Sequence, residues 1–230
     1  YILQNICYKI NIMNIVLFDL DNTLIKGDSD YEWGNYLVEN NYVNSESHRK
    51  KNDEFFQQYK NGTICPKEFA LFSYEFLAKN DYEVLLEIRK NFFNNKILPL
   101  ILPKALDLVK KHQKNNDIVA IVTSTNSFIS KISADFFNIK HLLASEPEII
   151  NKKFTGKMIG DPCYQEGKVL KVKEWIKLNK LYDHKEIWFY TDSFNDIKLM
   201  EFSSNPISVD PDSKLHKISI DKNWPIISLR

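Results

Sequence analysis

Three short apolar segments of this chain end abruptly in carboxylate or hydroxyl side chains. The segments and the polar residues that follow them are 14–18 with Asp19 and Asp21, 118–122 with Thr123, and 186–190 with Asp192. Each segment is rich in β-branched or aromatic residues, which predicts a buried strand. Helical patterns separate the segments, and strands that alternate with helices predict a parallel sheet in an α/β fold. Because ligands bind outside the carboxyl ends of such strands, the repeated polar ends predict an active site at one edge of the sheet.

The first of these strand ends carries two carboxylates with a single residue between them. At this spacing Asp19 and Asp21 can face one cavity while Leu20 points back into the protein. One carboxylate can then attack a substrate while its neighbour transfers a proton. A pair of acidic residues after a strand is also typical of a plain turn, so the argument for a site depends on the other strand ends.

Residues 29–95 predict an all-helical insertion after the first strand. Asp28-Ser29-Asp30 is a strong signal for the start of a helix, and Pro66 opens another. The helix that Pro66 opens has large apolar side chains at i, i+3, i+7 and i+8, namely Phe69, Phe72, Phe76 and Leu77. We expect this stripe to be core rather than binding surface. We also expect residues 13–28 and 96–230 to form the core domain.

The remaining pattern supplies the other elements of an α/β domain. In chain order it predicts helices at 81–93, 103–114 and 127–137, a strand at 141–144, a hairpin at 148–160, helices from 167 and at 195–202, and a strand at 206–209. Helices between successive strands are what a doubly wound parallel sheet requires.

The composition argues against several classes of partner. Thirty-one basic and 30 acidic residues leave a net charge of +1, whereas binding to nucleic acid or to an anionic membrane needs clustered positive charge. The apolar runs are too short for a stable membrane anchor. Three cysteines and five histidines are scattered along the chain, which gives no zinc spacing or disulfide framework and favours a cytoplasmic location. Residues 1–12 lack a signal-peptide pattern, and we expect them to be an extension without function.

Acidic, hydroxyl and lysine side chains would meet if the strand ends converge. The residues concerned are Asp19, Asp21, Thr123, Lys168, Asp192 and Asp196. Four carboxylates cannot stay ionised together without a cation, and oxygen ligands favour Mg²⁺ over zinc. A lysine and a hydroxyl beside Mg²⁺ suit the dispersed negative charge of a transferring phosphoryl group. The alternatives are that Asp192 and Asp196 only cap a helix, and that Lys168 is a solvated lysine with Lys157 as its rival.

Four motifs, in order, resemble those of the haloacid dehalogenase superfamily. They are Asp19-Leu20-Asp21-Asn22-Thr23, Thr123 after its strand, Lys168 at the start of a helix, and Asp192-Ser193-Phe194-Asn195-Asp196. The insertion after the first motif resembles the C1 cap of the phosphoserine-phosphatase-like branch, subfamily IB. Within that branch, the chain looks like the bacterial histidinol-phosphatase group at Gly27-Asp28-Ser29-Asp30-Tyr31, Phe154-Thr155-Gly156, Glu166-Gly167-Lys168 and Val209-Asp210-Pro211-Asp212. The resemblance implies a doubly wound, Rossmann-like parallel sheet with residues 29–95 as a helical cap.

The resemblance also implies a catalytic role for five residues. Asp19 would be the nucleophile, and Asp21 would be the general acid and base. Thr123 and Lys168 would bind the phosphoryl oxygens. Asn195 would be a further phosphate-binding residue, orienting either the phosphoryl group or a neighbouring aspartate.

Metal and substrate contacts are implied in the same way. The Mg²⁺ ligands would be the Asp19 carboxylate, the Asp21 main-chain carbonyl, Asp192 and, through water, Asp196. Asp28 falls where phosphoserine phosphatases carry a glutamate that contacts the substrate amine. Its shorter side chain argues against the same substrate, although it could still meet an amino group. Asp30 and Trp33 are further candidates for substrate contacts from the cap.

The leading hypothesis is a Mg²⁺-dependent hydrolase of a small-molecule phosphate ester that acts through an aspartyl phosphate. Histidinol phosphate is the first candidate substrate and phosphoserine the second, since both carry an amine that Asp28 or Asp30 could meet. Only phosphoserine has a carboxylate, which calls for a cation in the cap, where Arg49 and Arg89 are the only arginines. A lipid phosphate is a third candidate. Transfer of the phosphoryl group to an alcohol and a non-catalytic phosphate-binding role are the remaining alternatives, and the sequence does not predict an oligomeric state.

Overall fold

The computed structural model describes residues 13–230 and contains one seven-stranded sheet within them. The strands are β1 Ile15–Phe18, β2 Ile118–Asn126, β3 His141–Ile150, β4 Lys153–Ile159, β5 Ile187–Thr191, β6 Asn205–Val209 and β7 Ile226–Ile227. Their order across the sheet is β4-β3-β2-β1-β5-β6-β7. Neighbouring strands are parallel, except that β3 and β4 are antiparallel. The predicted extension at residues 1–12 lies outside the described part of the chain.

The central strand β1 determines where the polar strand ends meet. All four of its residues are buried, as expected for a parallel strand that is covered on both faces. Phe18 is in register with Ile121 of β2 and with Tyr190 of β5. The amide of Asp19 continues this pairing by donating to the Tyr190 carbonyl at 2.9 Å. β1 and β5 therefore end at nearly the same level, while β2 continues past them to Asn126. The predicted end of that strand at Val122 is too early, and Thr123 lies within β2 beside the end of β1.

Nine α-helices lie among residues 13–230. They are α1 Ser29–Glu39, α2 Ser45–Asn61, α3 Pro66–Lys79, α4 Tyr82–Phe92, α5 Pro103–Lys114, α6 Ser127–Phe136, α7 Glu166–Leu178, α8 Ile197–Phe202 and α9 Ser213–Lys222. Alternate residues of β1 point to opposite faces of the sheet. Val16 and Phe18 pack in one core with α1 and α3 to α6, whereas Ile15 and Leu17 pack in a second core with α7 to α9. The predicted doubly wound α/β fold is thus confirmed.

The four helices α1 to α4 form the helical insertion that follows β1. The first helix starts where its sequence predicts, because the Asp28 carboxylate accepts a hydrogen bond from the Tyr31 amide at 2.8 Å. The charged stretch after it forms α2, in which Asn52 is the one fully buried residue. This helix ends at Gly62, whose φ of +75° is the left-handed conformation that favours glycine.

The aromatic stripe of α3 is divided between core and cavity. Phe76 and Leu77 are buried, as predicted. Phe69 instead lines the cavity described below, and Phe72 is partly buried with its ring 5.3 Å from that of Phe55 on α2. The expectation of a core stripe therefore holds only for its second half, because α3 packs on β4 with one face and borders a cavity with another.

Two other features differ from the prediction. The short strand at 141–144 and the first arm of the hairpin are one continuous strand, β3, which pairs with β2 and then with β4. The chain also continues after β6 into α9 and β7, which the sequence pattern did not indicate. β7 has two residues and depends on pairing with β6, a tertiary contact that leaves no local pattern.

Candidate active site

A buried lysine joins two of the predicted carboxylates. The Lys168 Nζ donates to Asp19 Oδ1 and to Asp196 Oδ2, both at 2.8 Å, and the side chain is 0% exposed. The lysine enters the site from the first turn of α7. Gly167 makes this entry possible, since a Cβ there would lie 2.0 Å from the Pro162 carbonyl oxygen. The alternative candidate Lys157 is exposed on β4. Lys168 is therefore the lysine that contacts the carboxylates at the strand ends.

Burial controls the ionisation of this group. It raises the pKa of Asp19 to about 7, an effect that Lys168 opposes and that the neighbouring Asp196 and Asp21 carboxylates increase. Burial also holds the pKa of Asp192 well above its usual range. Burial lowers the pKa of Lys168, but the Asp19 and Asp196 carboxylates outweigh it and the net pKa is raised. The lysine is therefore a permanent cation at neutral pH.

The second aspartate of the first motif is held by two different elements. Asp21 Oδ1 accepts from the Ser29 amide at 2.6 Å, and Asp21 Oδ2 accepts from the Thr125 hydroxyl at 2.7 Å. These contacts fix the carboxyl group between the start of α1 and the end of β2. Burial raises its pKa, although the hydrogen bonds from Ser29 and Thr125 lower it in part. A carboxyl group that is buried yet oriented in this way is suited to proton transfer.

The carboxylates after β5 have tertiary partners. Asp196 Oδ2 accepts from the Thr191 hydroxyl at 2.7 Å as well as from Lys168. The Asp192 amide donates to the Thr23 hydroxyl at 3.1 Å, and that hydroxyl lies 3.3 Å from Asp192 Oδ1. The contacts between Thr23 and Asp192 link the first and last motifs. Both Asp192 and Asp196 thus have hydrogen-bond partners other than the backbone amides of a helix start.

Thr123 and Asn195 also lie near this edge, in contact with protein groups. The buried Thr123 hydroxyl accepts from the Thr125 amide at 3.2 Å. Asn195 Nδ2 donates to the Tyr59 carbonyl at 3.1 Å, and Asn195 Oδ1 accepts from the Tyr164 hydroxyl at 3.0 Å. Asn195 thus joins the end of α2 to the loop after β5, a contact that sequence reasoning did not anticipate.

A cavity opens between the helical insertion and the strand ends. Its walls come from α1, α2, α3, the end of β2 and the segments around β4. Acidic, tyrosine and apolar side chains dominate the lining, including Asp21, Asp28, Asp30, Tyr31, Phe55, Phe56, Tyr59, Pro66, Phe69, Tyr74, Met158 and Tyr164. Of the residues that the structure describes, no lysine, arginine or histidine lines it. The cavity therefore combines three acidic side chains with aromatic surface.

The three predicted cap contacts have different positions. Asp28 and Asp30 line the cavity. Trp33 is outside the described cavity lining, is 2% exposed, and packs edge-to-face against Phe92 and Phe128. Trp33 belongs to the core between α1 and α6.

Several cavity residues were missed by sequence reasoning. Thr125 and Asn126 follow Thr123 at the end of β2, so the strand-end pattern could have included them. Tyr59 had no such signal, because it lies in the charged stretch that forms α2. Burial and the surrounding aspartates, Asp19 first among them, hold the pKa of Tyr59 well above its usual range, which indicates that this helix brings a phenol close to the reactive edge.

Oxygen atoms dominate the edge, which suits a hard cation such as Mg²⁺. Lys168 is one positive charge beside four carboxylates. Burial raises the pKa values of Asp19, Asp21 and Asp192, and repulsion from neighbouring carboxylates adds to this for Asp19 and Asp192. In residues 13–230, no three acidic, histidine or cysteine side chains by themselves surround a common point as metal ligands. Mg²⁺ in proteins usually keeps several waters and uses one or two carboxylates, so the donor set fits such an ion.

Comparisons with known proteins agree with this geometry. The family model of haloacid dehalogenase-like hydrolases matches residues 16–201. A histidinol-phosphatase of Neisseria meningitidis serogroup C is 33% identical over 220 residues, which cover 94% of this chain and 99% of the relative.

Solved structures extend the comparison. A protein of unknown function from Bordetella pertussis Tohama I is 33% identical, with a TM-score of 0.90 over 95% of this chain and 100% of its own. A substrate-bound phosphoserine phosphatase has a TM-score of 0.66 at 14% identity, with 89% of this chain and 90% of its own covered. At that identity the second likeness concerns the fold alone. Separately, no helix within residues 13–230 has the length and apolarity needed to span a membrane.

Proposed function

Since this chain is a phosphatase that belongs to the haloacid dehalogenase-like hydrolase family, we propose that it hydrolyses histidinol phosphate with Asp19 as the nucleophile. We assign the chemistry to residues 13–28 and 96–230 and the selection of the substrate chiefly to residues 29–95. The observation that carries the choice of substrate is the cavity wall, which combines carboxylates and aromatic rings with no basic side chain among the described residues.

The proposed reaction has two steps. A carboxylate oxygen of Asp19 attacks phosphorus, the bond from phosphorus to the ester oxygen breaks, and Asp21 gives its proton to the leaving alkoxide. Water then attacks phosphorus of the aspartyl phosphate, the bond from phosphorus to the Asp19 oxygen breaks, and the water gives a proton to Asp21. Inorganic phosphate leaves, and both aspartates return to their starting states.

The surrounding groups support these steps. Lys168 lies 2.8 Å from Asp19 and favours the ionised carboxylate that attack requires. It also offers positive charge to the phosphoryl oxygens, and Thr123 offers a hydroxyl. Asp21 is held for proton transfer by Ser29 and Thr125.

A Mg²⁺ ion completes the proposal. Its ligands would be Asp19, the Asp21 main-chain carbonyl, Asp192 and, through water, Asp196. When bound, the ion would neutralise charge on the phosphoryl oxygens. The uncompensated carboxylates at this edge are the support for this assignment.

Phosphoserine is the second candidate, because the fold resembles that of a phosphoserine phosphatase. Its carboxylate, however, would enter a cavity with three carboxylates and no cation on its described walls. Arg49 is exposed on α2, and Arg89 donates to the Phe128 carbonyl at 2.8 Å. Histidinol phosphate has an amine and an imidazole and lacks that carboxylate, so it suits the cavity better.

The test is phosphate release from a panel of esters, with Mg²⁺ and with a chelator. The panel holds histidinol phosphate, phosphoserine, simple sugar phosphates and a lysophospholipid phosphate, and Asp19→Asn controls for contaminating phosphatases. We expect Mg²⁺-dependent turnover with the highest kcat/KM for histidinol phosphate. A higher kcat/KM for phosphoserine would contradict the choice of substrate, and equal activity in the chelator would contradict the metal.

A further inference from the structure

The geometry points to Asp30, and not Asp28, as the side chain that selects a positively charged group on the substrate, with Asn126 as its positioning residue. This inference rests on the proposed function, since it concerns the part of the substrate that does not react. Both aspartates are on the cavity wall, so their position alone does not separate them. Their hydrogen bonds do.

Asp28 is occupied by the helix that it caps. Its Oδ1 accepts from the Tyr31 amide at 2.8 Å, and the Asp30 amide gives further support to the same carboxylate. These bonds satisfy backbone donors that the first turn of every helix leaves free. Asp28 therefore has a structural function that explains its presence.

Asp30 has much weaker support from the protein. Its Oδ1 accepts from Asn126 Nδ2 at 3.3 Å, a long hydrogen bond. The Thr125 hydroxyl gives it some further support, but that hydroxyl donates to Asp21 at 2.7 Å. Burial holds its pKa well above the usual range, and the Asp28 and Asp21 carboxylates raise it further. An ionised carboxylate in such a place needs a cation, and of the described residues none on the cavity wall is basic. A bound amine or imidazolium would supply that charge.

The rest of the wall suits a flat, positively charged group. Phe55, Phe69 and Tyr74 line the cavity with aromatic surface, and a cation over an aromatic ring is stabilised further. Ser124 also lines it, and its buried Oγ has no hydrogen-bond partner in residues 13–230. A buried hydroxyl of this kind usually has a partner, so a ligand atom at this position would complete it.

One short segment connects the selecting carboxylate to the reacting one. Thr125 donates to Asp21 at 2.7 Å, while the next residue, Asn126, donates to Asp30. On α1, the Ser29 amide donates to Asp21, and the next residue is Asp30 itself. Residues 125–126 thus donate to both carboxylates, and both carboxylates line the same cavity. A substrate whose cation binds Asp30 therefore lies in the cavity that Asp21 also faces.

The test compares substrate selectivity in Asp30→Asn, Asp28→Asn and wild type. The substrates are histidinol phosphate and p-nitrophenyl phosphate, whose leaving group has no positive charge. For Asp30→Asn we expect the ratio of kcat/KM for histidinol phosphate to that for p-nitrophenyl phosphate to fall about 10- to 100-fold, mainly through KM. Asp30→Glu, which keeps the charge, is expected to recover part of that ratio. Asp28→Asn should change both substrates in parallel.

Glu32→Gln is the matched control, because it removes one negative charge from the same helix turn at a residue outside the described cavity lining. An unchanged selectivity ratio in Asp30→Asn, or a selective loss in Asp28→Asn instead, would overturn the inference. Failure of the proposed function would give a different result from failure of this inference. Wild type would then fail to hydrolyse either ester, and binding of histidinol by calorimetry would test Asp30 directly. Equal histidinol affinity in wild type and Asp30→Asn would overturn the inference in that case.

Discussion

The carboxylates at the sheet edge, Asp19 and Asp196, and the Asp30 carboxylate in the neighbouring cavity differ in how well the protein compensates their charge. At the edge, Asp19 and Asp196 share a buried lysine, and each acidic group has named partners from the core. In the cavity, Asp30 has a long hydrogen bond from Asn126, support from a Thr125 hydroxyl that also serves Asp21, and no cation on the described walls. The edge is therefore largely prepared by the protein itself, whereas the cavity is left for a ligand to complete. This contrast supports the proposal that the edge carries the chemistry and that the insertion selects the substrate.

Replacing the proposed nucleophile, Asp19, should abolish turnover and leave the cavity intact. We expect Asp19→Asn to lower phosphate release on the order of 10⁴-fold or more, because no aspartyl phosphate can form. The fold should persist, since Lys168 keeps its bond to Asp196. Phosphate release together with a thermal melt measures both. Turnover within tenfold of wild type would exclude Asp19 as the nucleophile.

Removing the lysine should damage the edge in two ways. Lys168→Met leaves Asp19 and Asp196 buried without their cation, which we expect to cost about 3 kcal/mol in the free energy of unfolding. It should also lower kcat roughly 10²- to 10³-fold through lost stabilisation of the phosphoryl group. Denaturant unfolding and steady-state kinetics are the measurements. Lys157→Met on exposed β4 is the control, and equal effects of the two variants would show that Lys168 has no special role.

The junction between the two regions can be tested at Asn195. Asn195→Ala removes the hydrogen bonds to the Tyr59 carbonyl and the Tyr164 hydroxyl, at an expected cost of about 1–2 kcal/mol. We expect faster amide hydrogen exchange at the end of α2 and little change in inhibition by inorganic phosphate. A large loss of phosphate affinity with unchanged exchange would favour the phosphate-binding role that the sequence resemblance implied.

The stability of the cavity region should also depend on pH. Burial raises the pKa of Asp28 to about 7, and repulsion from Asp21 adds to this. The folded protein thus binds a proton more tightly than the unfolded chain does. The resulting stability is fully present below the ordinary pKa of 3.8 and is lost as the pH rises through about 7.

Asp28→Asn keeps a capping side chain but does not titrate, so it should flatten this dependence. Melting temperatures at pH 5, 6, 7 and 8 in the presence of a chelator would measure it. If both proteins lose stability by the same amount between pH 5 and 8, Asp28 is not the group responsible.

The sequence predicted the edge better than the cavity. The strand-end residues could be identified because each lies directly after an apolar run, and parallel pairing brings such ends to one level. Trp33 and Asp30 both lie in α1, and no local pattern indicated that the first would be buried against Phe128 and the second would face the cavity. The choice depends on how the helix is rotated, which packing decides.

The sequence by itself therefore determined the fold class, the helical insertion and the set of polar groups at the sheet edge. The order of the motifs along the chain and the local apolar patterns of strands and helices are sufficient to predict these features. Only the tertiary structure decided that Asn195 meets Tyr59, that Asp28 is satisfied by its helix while Asp30 is not, and that no basic residue in the described chain lines the cavity. These outcomes depend on contacts between segments far apart in sequence, whose relative positions are fixed by packing rather than by any local preference.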